Sequence, residues 1–202
     1  MDAPAATYYP LGDGAVVWQA GWEINPAVAR RLRAVADTLT RAPFPGYMTC
    51  VSGYVTLTVY YDPLVAAGWE QVAAHLRNAA DAVGETPGVV VGRTFDLPVC
   101  YDGPDLDFVA RRAGLTPTEV IALHTMPTYD VHFVGFAPGF PYLGGMDPRL
   151  ATPRRAEPRP LVAAGAVGIA GGQTGVYPLA SPGGWQLIGR TPRPLFDPHR
   201  SP

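Results

Sequence analysis

The side chains that could carry chemistry in this chain concentrate between His124 and Trp185. His124 ends the segment TPTEVIALH and precedes Thr125-Met126-Pro127. An imidazole titrates near neutral pH, so it could act as general acid, general base or oriented donor. At a helix end it could equally serve as a C-terminal cap. Four arginines, Arg149, Arg154, Arg155 and Arg159, are spaced by prolines. A guanidinium holds a carboxylate or phosphate through two parallel N–H bonds, although a surface loop also accounts for such a cluster. Gly171-Gly172-Gln173-Thr174-Gly175 offers backbone N–H groups that could form an anion nest or oxyanion hole. It is neither a dinucleotide fingerprint nor a Walker loop, so it is a weak phosphate signal. Tyr177 follows it, and Ser181-Pro-Gly-Gly-Trp185 reads as a tight turn presenting a hydroxyl. Ser181 lacks the G-x-S-x-G context of a nucleophile elbow. Phe136-Ala-Pro-Gly-Phe-Pro-Tyr142 packs three aromatics into seven residues, with Pro138 and Gly139 setting the turn. Phe140 and Tyr142 then either line a pocket or plug the end of a sheet structure. His132 could be a second polar site group but reads better as a satisfied interior histidine. His75 and His199 read as structural or solvated.

The elements that must position these residues fall into two halves. Asn25-Pro26 predicts the start of a helix, as N-cap and first-turn proline. Its apolar stripe is Val28, Leu32, Val35, Ala36 and Leu39, and the same stripe recurs 44 positions on, from Val72 to Val83, in a helix over 69–83. Strands are predicted at 15–19, 47–51, 54–61 and 89–92. The order is β-α-β-β-α-β, the ferredoxin-like pattern, over residues 1–92. Residues 93–202 begin with a helix over 105–113, capped by Asp105 and stopped by Gly114. Thr116-Pro117-Thr118-Glu119 is a capping box opening a second helix that ends near His124. After it come a strand over 129–135 and short strands at 166–170, 175–178 and 185–189. Glycine and proline between them predict a barrel or sandwich and exclude helix.

Composition narrows the function classes. The chain has 202 residues, 48% hydrophobic and 16% charged, with 23 Gly and 23 Pro, which predicts a packed, turn-rich protein. A net charge of −2 argues against nucleic acid and anionic membrane as partners. All 15 basic residues are Arg. Without lysine the chain cannot supply a P-loop lysine, a Schiff base, a biotinylated lysine or the base of a Ser-Ser-Lys amidase. Cys50 and Cys100 show neither a C-x-x-C motif nor metal-ligand spacing, so no metal site is expected. No secretory signal and no membrane-length apolar run is seen, which predicts a cytoplasmic protein.

GFAPGFPYLGG at 135–145, Pro153-Arg154, AAGAVGIAGGQTGVYP at 163–178 and SPGGWQLIGRTP at 181–192 resemble the family of the 5-oxoprolinase B subunit. That family also goes by allophanate hydrolase subunit 1 and by KipI, an inhibitor of a sporulation histidine kinase. LPVCYDGPDLDFVA at 97–110, His124 and Tyr61-Asp62-Pro63 extend the resemblance over nearly the whole chain. The resemblance implies an α+β chain, with an N-terminal α+β domain and a C-terminal cyclophilin-like β-barrel. It implies a related, carboxyltransferase-like second subunit, the C-type partner in 5-oxoprolinase, with room for a third. The implied reaction opens 5-oxo-L-proline to L-glutamate using ATP, which the partner subunits would hold, since this chain shows no nucleotide motif. Carried over residue by residue, the implied catalytic positions are His124, Arg154, Gln173 and Tyr177. The implied substrate-binding positions are Pro138, Gly139, Phe140, Tyr142, Gly172, Ser181, Gly183, Gly184 and Trp185.

Two other functions follow from the same resemblance. One is a non-catalytic inhibitor of a histidine kinase, with the aromatics as binding hot spots. The other is an allophanate hydrolase or the carboxyltransferase component of urea carboxylase. Allophanate hydrolysis by the amidase route is disfavoured, because it needs a catalytic lysine.

Overall fold

Asn25 accepts a hydrogen bond from the Ala27 N–H at 2.8 Å, and Pro26 fills the first helical position, so the helix starts where its sequence predicts. The computed structural model describes residues 6–85 and 92–199. Its contacts divide into two compact units, residues 1–93 and 94–202.

The first unit contains β1 (Thr7–Pro10), β2 (Ala15–Gln19), α1 (Pro26–Arg41), β3 (Tyr47–Ser52), β4 (Thr56–Tyr61) and α2 (Trp69–Val83). The strands form one antiparallel sheet in the order β1-β2-β4-β3. Thus β4 lies between β2 and β3, the two strands joined by α1. Alternate sheet residues Val16, Trp18, Leu57 and Val59 are buried against Leu32, Val35 and Leu39 of α1 and Val72 and Leu76 of α2. Burying each such aliphatic side chain contributes about 1.5–3 kcal/mol. The repeated stripe is therefore the inner face of two helices on one sheet.

One strand, β1, is not predicted by the sequence. It is four residues long and ends at Pro10, too short to show alternation. Its Tyr8 sits opposite Trp18, and their rings stack at 6.0 Å. This strand fills the sheet edge beside β2. The strand predicted over 89–92 falls at residues 89–91 outside the described residues.

The second unit contains α3 (Leu106–Ala113), α4 (Pro117–Thr125), β5 (Asp130–Val134), β6 (Pro141–Gly144), β7 (Arg159–Val162), β8 (Ala166–Ala170), β9 (Gln173–Val176), β10 (Ser181–Gly183) and β11 (Gln186–Arg190). Five strands form an antiparallel sheet, β11-β8-β9-β6-β5, and β10 pairs with β7. The capping box is present: the Thr116 hydroxyl accepts from the Glu119 N–H and the Glu119 carboxylate accepts from the Thr116 N–H at 2.7 Å. Gly114 ends α3 in the left-handed conformation, φ 68. Asp105 makes no capping hydrogen bond, because its carboxylate is committed elsewhere. One core cluster joins α3 and α4 to Leu150, Ile169 and Ile188; a second gathers Phe140, Val162, Tyr177, Trp185 and Leu187. The chain is of the α+β class. Among the described residues no helix is long and apolar enough to cross a membrane, and no His, Cys, Asp and Glu cluster could hold a metal ion.

Candidate functional site

His124 lies in the last turn of α4 and is 6% exposed. Its Nε2 is 2.8 Å from the Thr174 hydroxyl, and its Nδ1 is 2.7 Å from the Tyr101 hydroxyl. The Thr174 hydroxyl donates its one hydrogen to the Gly168 carbonyl at 3.0 Å. Thr174 therefore accepts from Nε2–H, and Nδ1 accepts from Tyr101. The ring is neutral, in one tautomer, with both nitrogens occupied. Burial pushes its pKa down to about 4 and that of Tyr101 up to about 12. The expected proton-transfer role for His124 does not suit this geometry. Neither nitrogen is open to a reactant, and the ring joins α4 to β9.

The aromatic stretch resolves into a plug. Phe140 is 1% exposed, Tyr177 1% and Trp185 5%. Phe140 meets Tyr177 edge-on at 5.3 Å and Trp185 at 5.4 Å, and Tyr142 lies 5.0 Å from Phe140. Such edge-to-face pairs add about 0.5–1.5 kcal/mol each beyond their burial. Gly175 lies beneath the Phe140 and Trp185 rings, and Gly183 faces the Tyr177 hydroxyl so closely that any side chain there would collide with it. Burial raises the Tyr177 pKa, while the Trp185 backbone and the Arg154 and Arg159 charges pull it back. The expected pocket wall is thus closed at Phe140, Tyr177 and Trp185; Tyr142 is half-buried. The Ser181 hydroxyl is buried and has no hydrogen-bond partner among the described residues. In the first unit a groove of about 240 Å³ runs between Phe44, Val65, Gln71 and His75.

Gly171 and Gly172 form the two-residue turn of the β8–β9 hairpin, with φ 58 at Gly171. The Gly171 N–H donates to the Thr152 carbonyl at 2.7 Å, and the Thr152 N–H returns the bond at 3.1 Å. Thr174 and Gly175 run as strand between β8 and β6. The expected anion nest over 171–175 is therefore a hairpin whose donors are largely spent. Gln173, half-buried, opens β9 opposite Ala170.

The arginines separate by their partners. Arg159 pairs with Asp105 through one nitrogen at 2.7 and 2.8 Å and donates to the Trp185 carbonyl at 3.2 Å. Asp105 also accepts from the Leu187 N–H at 2.6 Å and attracts Arg155 at 3.6 Å. Arg149 pairs with Asp147 at 2.7 Å. Arg154 is exposed, and no carboxylate or carbonyl among the described residues accepts from it. It stands in an extended strap fixed on both sides: Thr152 is tied to Gly171, the Pro153 carbonyl accepts from the buried Gln186 side chain at 2.9 Å, and the Arg155 N–H donates to the Gly184 carbonyl at 2.7 Å. The SPGGW turn and the glycine hairpin thus meet at the strap that carries Arg154. Gln186 is not among the sequence candidates, although a polar residue inside the apolar run WQLI is its signal. Nothing in the sequence pointed to Asp105 as a partner of Arg159, 54 positions away.

Pro138 and Gly139 form a turn closed by the Phe140 N–H on the Ala137 carbonyl at 3.0 Å, with φ 82 at Gly139. Just before it, the Ala137 N–H donates to the Gly135 carbonyl at 2.8 Å across Phe136, whose φ is 67. That is a three-residue γ-turn of the strained, positive-φ kind.

Residues 6–202 match the family described as carboxyltransferase domain, subdomain C and D. The chain belongs to that family. Within the carboxyltransferase C and D family it is 44% identical to the 5-oxoprolinase B subunit of Bacillus subtilis, over 95% of this chain and 85% of that protein. It is 41% identical to the 5-oxoprolinase B subunit of Escherichia coli O157:H7, over 96% and 88%. The crystal structure of TTHA0988 superposes with a TM-score of 0.83 at 40% identity, over 94% of this chain; the chain spans 37% of that protein. Urea carboxylase of Kluyveromyces lactis shares the fold, at 20% identity and a TM-score of 0.72 over 92% of this chain, which spans 19% of that protein.

Proposed function

We propose that this chain is the B subunit of a 5-oxoprolinase, a hydrolase complex that opens 5-oxo-L-proline to L-glutamate with ATP. What carries the reading is identity of 41–44% over nearly the full chain to proteins of that name. The unpaired Arg154 supports it, since 5-oxoproline bears a carboxylate that a fixed guanidinium would bind through two hydrogen bonds. The hydrogen bonds of the strap to Gly171, Gly184 and Gln186 keep that position fixed. His124 acts in this reading as a positioning residue: its bond to Thr174 fixes β9 and hence Gln173 and Tyr177.

ATP supplies the activation that a resonance-stabilised lactam needs before water can open it. The 171–175 segment does not fit a triphosphate, because its N–H groups serve the hairpin and the sheet. We assign ATP to the partner subunits, among them a related subunit of the C type. The strand order of the first unit supports a ferredoxin-like domain ending near residue 92, and the strand-and-turn architecture of the second supports a cyclophilin-like barrel. The test is reconstitution with the partner subunits and measurement of ATP-dependent glutamate release from 5-oxoproline. A complete complex that releases none overturns the proposal.

A further inference from the structure

Gln186 is a polar residue inside an apolar strand: Trp185, Gln186, Leu187 and Ile188 are all buried, and Gln186 is 4% exposed. Packing alone favours an apolar side chain there, because a buried amide must recover the hydrogen bonds it had with water. Its Nε2 donates to the Pro153 carbonyl at 2.9 Å, across 33 positions. The place of that carbonyl explains the amide. Successive peptide planes run through the strap. The peptide that joins Thr152 to Pro153 is held by the Gly171 N–H on the Thr152 carbonyl at 2.7 Å. The peptide that joins Arg154 to Arg155 is held by the Arg155 N–H on the Gly184 carbonyl at 2.7 Å. Both use backbone partners, which need no particular side chain. The peptide that joins Pro153 to Arg154 lies between them. No acceptor among the described residues takes the Arg154 N–H, so among them Gln186 is what grips this middle plane. A peptide plane rotates about its two flanking dihedrals while the Cα atoms stay nearly in place, so the outer bonds do not hold it. Its rotation changes φ at Arg154, and the rotamers open to a side chain depend on that angle. Gln186 is itself braced. Arg159 donates to the Trp185 carbonyl at 3.2 Å, Asp105 accepts from the Leu187 N–H at 2.6 Å, and Arg159 pairs with Asp105 at 2.7 Å. That ion pair clamps the backbone on both sides of Gln186.

We propose that Gln186 is a positioning residue for substrate binding, which fixes the peptide between Pro153 and Arg154 and with it the direction of the Arg154 guanidinium. The inference rests on the 5-oxoprolinase reading above, in which Arg154 holds the substrate carboxylate. A two-bond grip on a carboxylate needs the guanidinium in one plane and one orientation. An arginine whose backbone swings between orientations spends binding energy on ordering itself, which weakens binding without touching the bond that reacts. Loss of the Gln186 amide therefore acts on KM, and it acts through Arg154 rather than beside it.

The test uses the complete complex, with 5-oxoproline and ATP, and compares wild type, Gln186→Met, Arg154→Gln and the double variant that carries both changes. Methionine fills the same length without an N–H. We expect Gln186→Met to raise the KM for 5-oxoproline about five- to twentyfold, with kcat within about threefold and Tm within about 5 °C of wild type. Because the effect passes through Arg154, the double variant should have the KM of Arg154→Gln alone, within about twofold. A role in packing would instead add its own loss to that of Arg154→Gln. If wild type cleaves 5-oxoproline and Gln186→Met keeps its KM within about twofold, the inference fails and the functional reading stands. A double-variant KM equal to the product of the two single increases shows independent action and overturns the inference. An Arg154→Gln KM that stays at the wild-type value overturns it as well. Where methionine lowers the Tm by more than about 5 °C, the same comparison is made with Gln186→Leu; if both lower it so far, Gln186 is a packing residue and the inference is overturned. A wild-type complex that does not cleave 5-oxoproline overturns both readings.

Discussion

The Nε2 of His124 donates to the Thr174 hydroxyl at 2.8 Å, and that hydroxyl has already given its hydrogen to Gly168. The direction of this one bond fixes the tautomer of the histidine. Replacing Thr174 with valine leaves a buried Nε2–H without an acceptor. Such a loss costs about 1–3 kcal/mol, and urea denaturation of Thr174→Val should show a fall of that size. An unchanged midpoint would mean that the bond contributes nothing.

His124 also predicts a pH dependence. Burial holds its folded-state pKa near 4, whereas in the unfolded chain it titrates near its ordinary 6.5. Between these values the unfolded state binds more protons. Its contribution is therefore intact above about pH 6.5 and is lost as pH falls toward 4, by up to about 3 kcal/mol. His124→Gln should flatten stability against pH over that window relative to wild type. A nitrogen NMR titration that charges the ring above about pH 5.5 would contradict the buried neutral state.

Asp105 is the buried anion to which Arg159, the Leu187 N–H and more distantly Arg155 converge. Asp105→Ala strands the half-buried Arg159 guanidinium and should destabilise by about 3–5 kcal/mol. Asp105→Ala with Arg159→Leu should recover part of the loss, because no unpaired charge remains. A double variant whose loss equals the sum of the Asp105→Ala and Arg159→Leu losses would show that the pair is not coupled.

Gly183 is needed for space rather than for an unusual backbone, since it is not among the positive-φ glycines. A methyl group at 183 meets the Tyr177 hydroxyl and ring. Gly183→Ala should cost about 1–3 kcal/mol by overpacking and alter the near-ultraviolet circular dichroism of the aromatic cluster. A spectrum and Tm identical to wild type would show that Tyr177 can swing aside.

Arg154→Gln tests the anchor. The side chain is exposed and unpaired among the described residues, so stability should change by no more than about 0.5 kcal/mol. In the reconstituted complex the KM for 5-oxoproline should rise by about 10–100-fold, with kcat less affected. An unchanged KM would remove Arg154 from substrate binding.

The sequence by itself determined the local elements with strong physical signatures. Asn25-Pro26, the Thr116 capping box, the Gly114 stop and the two matching apolar stripes are governed by hydrogen bonds and periodicities within a few residues, so α1, α2 and α4 follow from it. The family motifs were equally legible. Short strands such as β1, β6 and β10 were not, because three or four residues carry too little alternation to be seen. The site was decided only in three dimensions. Four arginines look alike in sequence, yet among the described residues three acquire a carboxylate partner and one does not, because Asp105 meets Arg155 and Arg159 and Asp147 meets Arg149. His124 reads as a candidate acid or base until Tyr101 and Thr174, brought from 23 and 50 positions away, close both of its nitrogens. A side chain's chemistry depends on which donors, acceptors and charges the fold brings within about 3 Å of it, and sequence spacing does not encode those distances.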